Sequence, residues 1–209
     1  YFKADFGLYI SASHNDRRYN GFKVCSATGA MLEASERNEL YENYIQKLVT
    51  ADLPDVGSLP DIGSSDKIEF LGEEARESFL VHMQNFFIDK ELIRQAGPKL
   101  AIGYSSFHGV GISSVPRLLG KSGFTNVKII KSMAVLDGFF PAFAEHPEQQ
   151  PDPGDEVSAD IAIKNYELEY PGDLKNGVMD ILIGTDPDAD RASVIARVPE
   201  EQIDIYKSP

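Results

Sequence analysis

The chain has 209 residues, enough for one large domain or two small ones, and 42% hydrophobic content supports an ordinary buried core. A formal charge of −13 argues against a nucleic-acid partner, because that binding depends on Lys and Arg displacing counterions from phosphates. Apolar runs such as Ile181-Leu182-Ile183 fall far short of a membrane span, no secretory leader pattern opens the chain, and the single cysteine, Cys25, excludes an internal disulfide framework, so a soluble cytoplasmic protein is expected.

Phe6 to Ile10 reads as a strand and runs into the polar turn Ser11-Ala12-Ser13-His14-Asn15, after which Gly21 to Ser26 reads as a second short strand. Because the chain opens on Tyr1 and reaches a strand interior within a few residues, it is expected to be a piece of a longer protein. Glu33 to Val49 places Leu40, Tyr44, Ile45 and Leu48 at helical spacing. Thr50 to Asp66 turns Pro-, Gly-, Ser- and Asp-rich and marks a domain boundary. Beyond it, Glu73 to Arg94 predicts one long amphipathic helix whose face of Phe79, Leu80, Met83, Phe86 and Phe87 enters the core.

Lys99 to Tyr104, Asn126 to Ile130 and Val178 to Ile183 read as strands, with helices at Ile112 to Lys121 and Val157 to Glu169 between them. That alternation predicts an α/β fold with mixed, mostly parallel sheets sandwiched by helices. Phe140 to Pro153 is expected to be a long surface connection, and Ala192 to Val198 a returning strand. His82 and His146 have no metal-ligand spacing with each other or with Cys25 and are expected to be structural or exposed.

Asp186, Asp188 and Asp190 follow an apolar strand directly, at the sheet edge where ligands of open α/β folds collect. Three carboxylates at alternate positions can converge on one hard cation such as Mg²⁺. The alternative, a solvated acidic turn, leaves their mutual repulsion without a counter-charge. An EF-hand loop needs Gly at its sixth position and Glu at its twelfth, and here those are Arg191 and Arg197. A haloacid-dehalogenase type of phosphatase uses the first Asp of a similar run as phosphoryl acceptor, but the Thr or Val expected two positions beyond its second Asp is Asp190.

Ser13 offers a hydroxyl in a turn where His14 and Asn15 can hydrogen-bond a phosphate or sugar hydroxyl, although such a run is also common turn chemistry. Asn20-Gly21-Phe22-Lys23 adds a close backbone approach and a lysine able to bind phosphate or move a proton; alone, Lys23 would read as a solvated strand residue. Read together, the two runs suggest a serine that carries phosphate beside a divalent cation. His108-Gly109-Val110-Gly111 invites a dinucleotide-binding reading, but Ser114 replaces the third glycine and the next strand ends in Lys131 and Ser132, so a tight strand-to-helix turn is expected instead.

With these residues in hand, the chain resembles the α-D-phosphohexomutases, the phosphoglucomutases and phosphomannomutases. Ser11-Ala12-Ser13-His14-Asn15-Asp16 is similar to their phosphoserine loop, Asn20-Gly21-Phe22-Lys23 to the segment after it, and Gly184-Thr185-Asp186-Pro187-Asp188-Ala189-Asp190-Arg191 to their magnesium loop. The stretches from Phe107 to Gly111, from Asp137 to Pro141 and from Pro151 to Gly154 look like the family's second domain. Two positions depart from the pattern: Ser11 stands where Thr is usual, and Asp16 where Pro is usual.

The resemblance implies that residues 1–65 are the C-terminal part of the first of four domains, residues 66–200 the second, and residues 201–209 the start of a linker to a third. It implies phosphate carried on Ser13, and Mg²⁺ held by Asp186, Asp188, Asp190 and a phosphoserine oxygen at Ser13. His14 and Lys23 are the candidates for proton transfer, Arg191 for orienting the phosphate or the base, and Asn15, Lys23 and Arg191 for binding substrate phosphate. The implied partners are a hexose phosphate, with glucose favoured over mannose, a hexose bisphosphate, and the third and fourth domains of the same chain, without which no turnover is expected. A bisphosphate synthase, a phosphosugar phosphatase and a non-catalytic phosphosugar-binding protein remain the alternatives.

Overall fold

The structure, a computed structural model, describes residues 3–49, 66, 68–146, 148 and 150–206. Two compact units partition the chain: Tyr1–Ser11 with Asn20–Gly72, and Ala12–Tyr19 with Glu73–Pro209. The expected boundary from Thr50 to Asp66 lies outside the described residues except for Asp66.

In the first unit, strand β1 (Phe6–Ile10) pairs antiparallel with β2 (Phe22–Ser26), in a register that sets Tyr9 opposite Lys23 and Gly7 opposite the half-buried Cys25. Helix α1 (Ala34–Leu40) begins where the backbone N–H of Glu33 donates to the Glu36 carboxylate at 2.8 Å, half of a capping box. It continues through a π turn, Tyr41–Ile45, into α2 (Gln46–Val49), so the expected helix forms with one widened turn.

The second unit is built on a four-stranded sheet in the order β4-β3-β5-β6. Strands β3 (Ile102–Ser105), β4 (Val127–Ile129) and β5 (Ile181–Thr185) run parallel, and β6 (Ala192–Ala196) returns antiparallel to β5. This is the α/β architecture the alternation predicts. All four residues of β3 are buried, as expected of a strand covered on both faces. Helices α3 (Glu73–Met83), α4 (Lys90–Ala96), α5 (Val115–Ser122), α6 (Glu156–Glu169) and α7 (Ile203–Tyr206) complete the unit. Among the described residues, no helix is long and apolar enough to cross a membrane.

Three expectations are corrected. The helix expected from Glu73 to Arg94 breaks after a 3₁₀ turn at Gln84–Phe86, because Asp89 caps a new helix by accepting the Leu92 N–H at 2.8 Å. Only Leu80 of its apolar stripe is fully buried, while Phe79 and Phe86 are exposed, and His82 meets Phe86 edge-on at 5.4 Å. The strand expected from Val178 begins three residues later, since the side chain of Asp180 turns back to accept the Ala101 N–H at 2.9 Å. Finally, Phe140 to Pro153 is not a surface run: Phe143 is fully buried against Phe107, with ring centroids 5.1 Å apart, and Phe140, His146 and Pro151 are buried with it. Apolar side chains override the loop-like composition there.

Asp155 caps α6, its carboxylate accepting the Ser158 N–H at 3.3 Å and meeting His146 Nε2 at 2.7 Å. The His146 hydrogen bond, ahead of the cap itself, holds the Asp155 carboxyl below its ordinary 3.8. A carboxyl depressed by folding contributes stability that is complete above its unfolded value and disappears as pH falls through the folded one. Acidification below pH 3.8 should therefore weaken this unit progressively. Asp155→Asn retains a competent helix cap and should flatten the acid limb of a stability profile measured by urea unfolding.

Candidate active site

Strand β5 delivers its chemistry at its carboxyl end, where Gly184, Thr185 and Asp186 are all buried. The chain then reverses in a turn closed by the Ala189 N–H donating to the Asp186 carbonyl at 3.0 Å, with Ala189 in the left-handed region at φ 59°. The Arg191 N–H donates to Asp186 Oδ1 at 3.0 Å, so the loop is folded around its first carboxylate. One oxygen each of Asp186, Asp188 and Asp190 lies within 4.8 Å of the others. The loop is a tight turn and not the extended segment that alternate spacing would suggest, yet it converges the same three groups.

Burial pushes the Asp186 carboxyl up to about 6, with the neighbouring Asp188 and Asp190 adding to the rise and the Arg191 N–H opposing it. Such a group is short of positive charge, and hard carboxylate oxygens at this spacing fit Mg²⁺. Asp186, Asp188 and Asp190 could hold that ion.

Ser13 belongs to the same compact unit through the turn Ala12–Tyr19. It adopts φ 57°, an uncommon conformation for a residue with a Cβ and one that clusters at functional sites. Its hydroxyl is placed to donate to Asp186 Oδ2 at 3.1 Å or to Asp188 Oδ1 at 3.4 Å, and lies 3.2 Å from His14 Nδ1. The two sequence runs, 173 positions apart, thus meet at one point.

Asp16, where proline is usual, is buried and spent locally. Its carboxylate accepts the Arg18 backbone N–H at 2.8 Å and Arg18 Nε at 2.8 and 2.9 Å, and pairs with Arg18 Nη2. The Arg18 side-chain hydrogen bonds, first among the causes, hold Asp16 down to about 2. Arg18 cancels the added charge, and Arg17 stacks 4.1 Å over the Phe139 ring. Asn15 is exposed. Lys23 lies on β2 in the first unit, its Nζ 5.4 Å over the Tyr9 ring.

Sequence reasoning missed Asp152. It lies 3.0 Å from Arg191 Nη1 and 3.6 Å from His14 Nε2, and its only sequence signal is an acid held between Pro151 and Pro153. Equally unread was the role of the turn after β3. His108 donates from Nδ1 to the Val135 carbonyl at 3.1 Å and accepts the Ala142 N–H at Nε2 at 3.2 Å, which fixes a neutral tautomer. Burial pushes its pKa down in the same direction. The next residues, Gly109 and Val110, lie against the carboxylate loop, and the Val110 N–H donates to the Pro187 carbonyl at 2.9 Å.

A Cβ at Gly109 would fall 2.2 Å from Pro187 Cα and 2.4 Å from its carbonyl oxygen, both backbone atoms that cannot swing away. Gly109→Ala should cost about 3 kcal/mol in urea unfolding. Gly120→Ala, inside α5 where a Cβ meets nothing within 4 Å, is the control and should gain up to about 1 kcal/mol.

A serine hydroxyl set among carboxylate oxygens at the carboxyl edge of a mostly parallel sheet gives this α/β domain the oxygen ligands of a cation site. Two family models match the chain: phosphoglucomutase/phosphomannomutase α/β/α domain I over residues 1–49, and α/β/α domain II over residues 77–198. The chain belongs to the phosphoglucomutase/phosphomannomutase family. It is 31% identical over 208 residues to a phosphoglucomutase of Staphylococcus epidermidis, covering 99% of this chain and 34% of that one. A phosphoglucomutase of Staphylococcus aureus MRSA252 is 28% identical over 196 residues, 91% of this chain and 31% of its own length.

Among solved structures, one described as a phosphomannomutase from Thermus thermophilus superposes with a TM-score of 0.64 at 22% identity, over 93% of this chain and 37% of that one. The open form of pp63/parafusin, a phosphoglucomutase from Paramecium, gives 0.57 at 16% identity, over 92% and 35%. These two likenesses speak for the fold alone. The chain spans about one third of the length of the relatives it matches.

Proposed function

We propose that the full-length protein is a phosphohexomutase that interconverts hexose 1-phosphate and hexose 6-phosphate, glucose being the favoured sugar, through phosphate carried on Ser13. The observation that carries this reading is the Ser13 hydroxyl 3.1 Å from Asp186 and 3.4 Å from Asp188 within the three-carboxylate cluster.

In the first half-reaction a sugar hydroxyl oxygen attacks the phosphorus on Ser13. The new O–P bond forms as the Ser13 Oγ–P bond breaks; the proton of the sugar hydroxyl passes to a base, for which His14 and Lys23 are the candidates, and a proton is delivered to the departing Ser13 Oγ, which leaves as a hydroxyl. The product is a hexose bisphosphate, which turns over in the site. In the second half-reaction the Ser13 hydroxyl gives up its proton to a base as Oγ takes the other phosphate, and the departing sugar oxygen receives a proton. Asn15, Lys23 and Arg191 bind and orient substrate phosphate. Asp186, Asp188, Asp190 and an oxygen at Ser13 would hold Mg²⁺, which when bound would neutralise charge on the transferring group. The 209-residue chain alone is not expected to turn over, because it spans about one third of the length of the relatives it matches.

The test is a product assay on full-length protein given a hexose 1-phosphate and a trace of hexose bisphosphate. Conversion to an equilibrium mixture of 1- and 6-phosphates with total hexose monophosphate conserved supports the mutase. Release of inorganic phosphate indicates a phosphatase, net accumulation of bisphosphate a synthase, and sugar binding without conversion a non-catalytic protein.

A further inference from the structure

Asp152 joins the serine turn to the carboxylate loop. Its Oδ2 lies 3.0 Å from Arg191 Nη1 and 3.6 Å from His14 Nε2, so one carboxylate oxygen faces both candidate residues. The contacts close a ring: Ser13 to His14 at 3.2 Å, His14 to Asp152, Asp152 to Arg191, the Arg191 N–H to Asp186 at 3.0 Å, and Asp186 back to the Ser13 hydroxyl at 3.1 Å.

The base of this ring is rigid. Pro151 and Pro153 on either side are buried, Asp152 Oδ1 accepts the Gly154 N–H at 2.9 Å, and the Asp152 carbonyl accepts the Asp155 N–H at 3.1 Å just ahead of α6. A fixed carboxylate beside Nε2 favours a proton on that nitrogen and turns Nδ1 toward Ser13 Oγ, the orientation a proton-transfer group needs. The same oxygen restrains a guanidinium whose own backbone already anchors the loop.

Resting on the mutase reading above, we propose that Asp152 is a positioning residue: through its charge it orients His14 toward Ser13 and holds Arg191 against the carboxylate loop.

The test uses full-length enzyme, after mass mapping shows whether wild type acquires phosphate on Ser13 from a hexose bisphosphate. Asp152→Ala should lower kcat about 10- to 100-fold while KM moves less than about threefold. Asp152→Asn keeps the shape and the acceptor for the Gly154 N–H but not the charge, and should lose kcat to the same extent. His14→Ala should cost markedly less in the Asp152→Ala background than in wild type, since acting through a shared partner makes effects non-additive. Additive effects with unchanged kcat per folded molecule, or wild-type kcat in Asp152→Asn, overturn the proposal while leaving the mutase reading intact. A wild-type enzyme that carries no phosphate on Ser13 overturns both.

Discussion

Full-length protein carrying Ser13→Ala is expected to lose mutase turnover by about 10⁴-fold or more, the scale on which deletion of a covalent nucleophile acts. The Ser13 hydroxyl meets the carboxylate cluster, 3.1 Å from Asp186 and 3.4 Å from Asp188, and those aspartates are needed as cation ligands. The loss would not reflect unfolding. Ser13 is partly buried, its left-handed φ of 57° strains alanine no more than serine, and the exchange removes one hydroxyl worth about 1 kcal/mol. A coupled assay of glucose 1-phosphate conversion, with urea unfolding of the same preparation, checks both halves of the expectation. Wild-type turnover by the variant would end the covalent mechanism.

The second large effect concerns the cation. Asp188→Ala should weaken Mg²⁺ binding by at least about 100-fold in calorimetric titration, since it removes one of three charged ligands outright. Its effect on the metal-free protein should run the other way. Asp186 is raised from 3.8 to about 6 by burial first and by Asp188 and Asp190 after it. A carboxyl raised by folding binds its proton more tightly in the native state, so metal-free stability falls as pH rises from 3.8 to about 6 and stays low above that. Deleting Asp188 removes part of the repulsion and should leave the metal-free variant at neutral pH at least as stable as wild type. Millimolar Mg²⁺ should then raise the melting temperature of wild type only. Equal Mg²⁺ affinity in the two proteins would reduce the cluster to a solvated acidic turn.

Much of this was legible in the residues. The residue patterns find β1, β2 and α6, and the strand-helix alternation anticipates the mostly parallel sheet, because each rests on local spacing. Ser13, His14 and the three aspartates stand out as motifs, and the structure brings them to one place. What stayed hidden depends on partners far along the chain or on a competing local bond. Asp152 lies 39 positions from Arg191, and nothing in its own neighbourhood announces that pairing.

Asp16 departs from the resembled pattern in the sequence, but nothing there shows that its carboxylate is taken up by Arg18, two residues on. The break at Asp89 came from a cap that outbid an otherwise continuous apolar stripe. Phe140 to Pro153 shows the opposite failing: proline and charge suggested a loop at the surface, but Phe143 fills the space beside Phe107 and carries the segment inward. The deep placement of the segment is also what lets Asp152 be rigid enough to face His14 and Arg191 together.

The measurement that bears most directly on the central claim is peptide mass mapping of full-length protein after incubation with a hexose bisphosphate and Mg²⁺. One phosphate on the peptide containing Ser13, stable to hydroxylamine and absent from the Asp188→Ala variant, is the predicted result. Phosphate on Asp186 or Asp188 instead, released by hydroxylamine as an acyl phosphate, would contradict it and make a carboxylate the acceptor in place of Ser13.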